Sequence, residues 1–174
     1  TGAIVGPAAA PCAMKDMAAV HIAVQPQDFD ASAELAALRA ADARVGAVCC
    51  FVGCVRDRND GDAVASMELE HYPGMTEASI AAIVEQAIAR FGIFGARVIH
   101  RVGLLQPLDQ IVLVAVSAAH RGASFDACEF IMDYLKTQAP FWKKEQTPQG
   151  ARWVDARSAD DAALARWATP ADGG

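Results

Sequence analysis

Apolar residues recur at two different periods along this chain, and the switches between those periods mark out its elements. After a capping Asp30, Leu35 and Leu38 stand on an alanine-rich background, which predicts a short helix over residues 30–41. Residues 46–55, GAVCCFVGCV, form a β-like run and predict a strand. The polar stretch 56–62, RDRNDGD, reads as a turn or loop, and alternation resumes over 64–72 with Met67, Leu69 and His71 on one side. This second strand is expected to pair with the first. Beyond Pro73 and Gly74, Ile80, Ile83, Val84, Ala87, Ile88 and Phe91 fall at helical spacing, and Gly92 supplies a C-terminal stop. Residues 97–104 alternate and 111–116 are continuously apolar, so two more strands follow, with QPLD as the turn between them. A final helix is expected over 124–138, burying a stripe of Phe125, Cys128, Ile131, Met132 and Leu135 and turning Asp126, Glu129, Asp133 and Lys136 outward. Pro140 ends it by biasing Ala139 away from helical geometry.

The β-α-β-β-α order of the central elements, joined by short links, predicts an α+β single domain with mainly antiparallel pairing. Its 174 residues, 53% hydrophobic and 21% charged, suffice for one domain with a real core. Residues 1–16 are small, Gly/Ala/Pro-rich and aperiodic, and read as an extension, with Met17 as the expected natural start of a domain running to residue 168; 169–174 read as a flexible tail. The longest apolar stretch, 111–116, falls far short of a membrane span, and the alanine-rich start lacks a basic n-region, so a cytoplasmic protein is expected. The five cysteines show neither the parity of a disulfide framework nor the spacing of a zinc site, and the reading preferred for each is a small hydrophobe, least firmly for Cys54 beside Arg56.

Charge changes the picture locally. A net charge of −6 argues against nucleic acid or other polyanions as partners, yet residues 120–145 gather His120, Arg121, Lys136, Lys143 and Lys144 around one predicted helix. Positive charge is disfavoured at a helix N-terminus, so Arg121 gains most if a phosphate or carboxylate binds between it and the free N–H groups. Alternatively, Arg121 is solvated and His120 is a capping or core histidine. Lys136 is explained by its helix end alone. Lys143 and Lys144 follow a Pro-Phe-Trp corner whose aromatics are expected to dock on the core; a lysine held against apolar walls and other cations loses its proton more readily, as a nucleophile or proton shuttle must. Glu145 could orient a neighbouring lysine or be a surface acid, and Arg56 and Arg58 could contact ligand or simply be solvated. Walker, dinucleotide and nucleophile-elbow signatures are missing.

Read together, FVGCVRDRNDGD, LEHYPGMTE, VIHRVG, SAAHRGASFDACEFIMDYLKTQAPFWKKE and RWVDAR resemble the catalytic large subunit of molybdopterin synthase, in order and with natural spacing from about residue 45 to 167. The resemblance implies an α/β hammerhead fold and a sulfurtransferase reaction. In that family a small ubiquitin-like carrier bears a thiocarboxylate on its C-terminal glycine, and two such donors convert cyclic pyranopterin monophosphate into the dithiolene of molybdopterin. It also implies a central homodimer with a small subunit at each end, a heterotetramer, and no metal or other cofactor for the step. By position, Lys136 would be the principal catalytic lysine and Lys143 its companion. Val55 (through its backbone), Arg56, His120, Arg121, Lys144 and Glu145 would line the substrate site, and Arg157 would reach the site of the neighbouring protomer. Cys54 stands where family members often have lysine or threonine. Two rival readings stay open: a persulfide-bearing sulfurtransferase using Cys54 or Cys128, and a non-catalytic module that binds a small anion.

Overall fold

A computed structural model describes residues 19–154 and 158–168 of the chain. Its elements run β1 (Val20–Gln25), α1 (Ala31–Ala41), β2 (Ala47–Cys54), β3 (Arg58–Asn59), β4 (Asp62–Ala63), β5 (Ser66–His71), α2 (Met75–Phe91), β6 (Gly95–Arg101), β7 (Gly103–Leu105), β8 (Gln110–Ala118), α3 (Arg121–Gln138), β9 (Phe141–Thr147), β10 (Gly150–Val154) and α4 (Ser158–Ala165). This is the expected α+β single domain with mainly antiparallel sheet. The segments read as an N-terminal extension and a C-terminal tail, and Arg157 with them, lie outside the described residues. Among the described residues no helix is long and apolar enough to cross a membrane.

The first sheet has the order β1-β6-β8-β2, with only β1 and β6 parallel. Central β8 is covered on both faces, which is why its sequence is continuously apolar rather than alternating. Val112, Val114 and Val116 face the main core with α2 and α3, where Ile80, Ile83, Phe130 and Ile131 are almost fully buried. On the opposite face Leu113 and Ile99 pack with Phe29 against the start of α1. Asp30 caps α1 by accepting from the Ala33 N–H, as expected, and Gly92 ends α2 at φ 64°, a left-handed conformation that costs glycine little.

The second sheet, β10-β9-β5-β7, is antiparallel throughout and closes a small core of Val55, Met67, Leu69 and Leu105. Here the structure departs from the sequence reading. The strand after the polar loop, β5, does not pair with β2 but with β7 and β9. The loop itself explains this: it folds on itself as the β3–β4 hairpin, with Asp60 at φ 51° and Gly61 at φ 87°, the doubly positive turn favoured for a two-residue hairpin. The chain therefore leaves the first sheet and starts another. The alternating segment 97–104 is likewise two strands, interrupted at Val102, whose N–H donates to Gln25 O, and turned at Gly103 so that β6 and β7 join different sheets. β1 was not anticipated.

Helix α3 begins three residues earlier than expected, at Arg121, and it is not final. Its C-cap Ala139 is extended ahead of Pro140, as predicted, but the Pro-Phe-Trp corner opens β9, which leaves Trp142 47% exposed. Phe125 is also exposed, and Phe130 rather than Phe125 fills the core. Helix α4 returns to α3, where Arg166 and the Trp167 indole N–H donate to Asp133.

Candidate active site

Where the two sheets meet the C-terminal end of α3, the chain forms a cleft of about 540 Å³. Its floor is apolar, from Val52 and Gly53 of β2, Ile111 and Val112 of β8, and Met132 and Leu135 of α3. Arg56 and Arg58 enter from the β2–β3 side, Lys136 from α3, and Lys143 with Glu145 from β9. Among the described residues, four cations thus share one cleft with a single carboxylate, in a chain that is acidic overall.

Strand alternation selects which β9 side chains reach the cleft. Lys143 and Glu145 stand opposite Leu69 and Met67 of β5 and share their inward face. Lys144 lies on the other face, opposite Glu68, with its ammonium 5.5 Å from the Trp153 ring centroid. Lys144 is therefore not brought to the cleft. Val55 is not available either: it is 2% exposed, its N–H donates to Asp109 O, and its carbonyl accepts from Leu108 N–H, both at 2.9 Å. Both backbone groups of Val55 hold the β7–β8 turn.

Glu145, left open as a surface acid, is 1% exposed and is the hub of the site. The Asn59 amide donates to both of its oxygens at 2.9 and 3.1 Å, Lys143 Nζ lies 3.3 Å from Oε1, and Arg152 Nη2 lies 3.4 Å from Oε2. Burial acts to raise its pKa, but the bonds from Asn59, the charge and hydrogen bond of Lys143 and the hydrogen bond of Arg152 outweigh it and hold the carboxyl below its ordinary value. The network continues outward. Arg56 Nη2 donates to Asn59 Oδ1 at 3.3 Å, while Arg152 pairs with Asp62 at 2.8 Å and donates to the Asn59 carbonyl.

Lys136 is more open, its side chain 55% exposed and its ammonium 3.7 Å from Asp160 of α4. His100 forms part of the cleft wall, stacked on Phe141 with centroids 3.8 Å apart, and its Nδ1–H donates to the Arg101 carbonyl. Burial, aided by nearby His71, lowers its pKa to about 4, so the ring is neutral at pH 7. Asn59 and Arg152 were missed because nothing local in NDG or RWV signals burial against a carboxylate more than eighty residues from Asn59.

His120 and Arg121 lie elsewhere. They line a separate, more open depression of about 680 Å³ with Gly46, Ala47 and Phe125, at the opposite end of α3 from Lys136. At 1.5 Å per residue the helix separates Arg121 from Lys136 by about 22 Å. His120 is the N-cap residue but its side chain makes no capping bond. Of the two cysteines considered as persulfide carriers, Cys128 is 4% exposed and burial pushes its thiol well up, whereas Cys54 is exposed at the cleft.

Comparison with known proteins bears on this geometry. The family model described as MoaE protein matches residues 24–138. A curated molybdopterin synthase catalytic subunit of Ralstonia nicotianae is 64% identical over 151 residues, covering 87% of this chain and 86% of its own. The one from Escherichia coli is 52% identical over 151 residues, 87% of this chain and 100% of its own. Among solved structures, the molybdopterin biosynthesis MoaE protein of Burkholderia ambifaria is 60% identical with a TM-score of 0.75, covering 86% of this chain and 99% of its own. Molybdopterin synthase from Staphylococcus aureus is 29% identical with a TM-score of 0.71, covering 76% and 95%.

Proposed function

The chain belongs to the MoaE family of molybdopterin synthase catalytic subunits, and from that premise we propose how it works as a sulfurtransferase of molybdenum cofactor biosynthesis. The observation that carries the reading is the convergence of Arg56, Arg58, Lys136 and Lys143 on one cleft with an apolar floor. Such a cleft suits a flat, anionic heterocycle: its volume lies within the range of about 300–1,000 Å³ usual for small-molecule sites, and its cations match a cyclic phosphate. The substrate is cyclic pyranopterin monophosphate.

The sulfur donor is the thiocarboxylated C-terminal glycine of a small ubiquitin-like carrier subunit, a partner supported by the description of the relatives as catalytic subunits. Lys136, the more exposed lysine, meets that tail. Its ammonium neutralises the thiocarboxylate as the sulfur attacks a substrate carbon and displaces an oxygen from it, the C–O bond breaking as the C–S bond forms, and Lys143, backed by Glu145, stabilises the charge on the departing oxygen or protonates it. Water then cleaves the bond between sulfur and the carrier's acyl carbon, which leaves as a carboxylate. A second carrier repeats the step to complete the dithiolene.

A homodimer, flanked by two small subunits as a heterotetramer, accounts for the separation of the two cationic groups. His120 and Arg121 of one protomer are about 22 Å along α3 from their own Lys136, so they serve substrate binding only across a two-fold interface. Arg157 is assigned to the same shared site.

Reconstitution with a verified thiocarboxylated carrier and cyclic pyranopterin monophosphate, followed by mass, tests the reading. Dithiolene should form, and Lys136→Ala should lower turnover by more than about 100-fold, the scale of losing a charge-stabilising group. The exposure of Cys54 in the cleft favours one rival, a persulfide on that thiol. Cys54→Ser retaining turnover removes it; loss of turnover in Cys54→Ser with an intact Lys136 overturns the lysine mechanism.

A further inference from the structure

We propose that Asn59 is a positioning residue for sulfur transfer, its carboxamide fixing the Glu145 carboxylate behind Lys143 and the Arg56 guanidinium over the same cleft. The inference rests on the roles given to Lys143 and Arg56 above and adds the group that sets their relation.

Asn59 lies on a two-residue strand of a hairpin, a place where an amide is ordinarily solvated, yet it is only 4% exposed. Both Glu145 oxygens accept from the same amide nitrogen, which anchors the head of the carboxylate between them and leaves each oxygen a further donor. Held there, Oε1 meets Lys143 and Oε2 meets Arg152. The remaining atom of the carboxamide, Oδ1, accepts from Arg56. One neutral side chain therefore contacts an acceptor on β9 and a donor on the β2–β3 link, and an acid or a base at position 59 could not do both. An aspartate would oppose Glu145, and a lysine would oppose Arg56.

The main chain of Asn59 is held as firmly. It pairs with Asp62 across the hairpin, its carbonyl accepts from Arg152, and Arg152 in turn pairs with Asp62. β10 thus clamps the hairpin against β9, and the amide is delivered to Glu145 with little freedom left to lose when substrate binds. This arrangement keeps Lys143 beside a charged partner while its side chain, 33% exposed, still lines the cleft. Without the amide, Glu145 can rotate toward Arg152 and leave Lys143 unpaired.

The test uses the reconstituted complex with thiocarboxylated carrier and cyclic pyranopterin monophosphate. Asn59→Ala should lower kcat by about 10- to 100-fold, the value of a hydrogen bond to a charged group expressed as a rate, and raise the pterin KM, with carrier affinity unchanged. Because the effect of Asn59 on the chemical step runs through Lys143 and its effect through Arg56 is on pterin binding, Asn59→Ala combined with Lys143→Ala should turn over no more slowly in a single turnover at saturating pterin than Lys143→Ala alone. A parallel cycle on pterin Kd with Arg56→Ala needs no turnover and should show the same non-additivity. Fully multiplicative losses in either cycle, or wild-type kcat and KM in Asn59→Ala, overturn the proposal. Should Asn59→Ala fail to fold, Asn59→Ser carries the same cycles, with the same outcomes deciding. Wild-type turnover in Lys143→Ala would instead remove the underlying site reading, whatever Asn59 does.

Discussion

His100 shows how much a single side chain contributes through being uncharged. In the unfolded chain it titrates near its ordinary 6.5, whereas folding lowers the value to about 4 by burying the ring against Phe141. Between those two values the unfolded state binds a proton that the folded state refuses, so stability rises with pH across that window. It is fully present above 6.5 and lost as the pH falls toward 4, by on the order of 3 kcal/mol as an upper bound. Glu145 acts in a lower window: with its pKa held below the ordinary carboxylate value, its contribution is present above that value and fades only as the pH drops through the folded one. Thermal melts from pH 7 to 4.5 should therefore show a steady fall in the native protein and a nearly flat line for His100→Phe, whose ring can stack on Phe141 but cannot take a proton. Equal pH slopes for the two would show that His100 is not the group responsible.

The β3–β4 hairpin is the smallest element that the site depends on. Gly61 occupies its turn at φ 87°, where a side chain is strained, and the hairpin carries Asn59 into the network. Gly61→Val should cost about 1–2 kcal/mol, near 3–6 °C for a chain of this size, and should reduce turnover beyond what the lowered melting point explains. Differential scanning calorimetry beside kinetics at 25 °C separates the two effects; an unchanged kcat would show that the hairpin does not position the cleft.

This element also explains what was and was not legible in the sequence. Helix α2 was readable because its period runs unbroken through Ile80, Ile83, Val84 and Ala87, all buried. The polar run before β5 was readable as a turn, but not as a hairpin that redirects the chain into another sheet, because strand partners are decided by long-range packing and leave no local mark. Lys143 and Glu145 could have been separated from Lys144 by alternation alone had 141–147 been taken as a strand. The aromatics of FW pointed instead to a buried corner, and of the two Phe141 packs against the main core while Trp142 proves exposed. Asn59 was hidden for a different reason: its partner on β9 is 86 residues away.

At the scale of the whole molecule the feature to be explained is that α3 carries cations at both ends but only one end opens on the cleft. The N-terminal group, His120 and Arg121, sits in its own depression beside Gly46, Ala47 and Phe125, and the neighbouring edge strand β2 exposes Phe51 by 42%. If the proposed dimer lends these cations to the partner's cleft, each active site draws Lys136 from one chain and Arg121 from the other. That arrangement makes a definite arithmetic prediction. Lys136→Ala and Arg121→Ala homodimers each carry a defect in both sites, so both should be weak. When the two variants are co-expressed and assort randomly, about half of the dimers are mixed, and each mixed dimer holds one doubly defective site and one intact site. Turnover with saturating carrier should then recover to about a quarter of the native value, as expected for one intact site in four. A site built within a single chain allows no such recovery, because every cleft in the mixture would still lack one of its two cations. Co-purification through two different affinity tags isolates the mixed dimer, whose activity should be about half that of the native dimer; activity no higher than the better of the two parents would show that His120 and Arg121 serve their own chain.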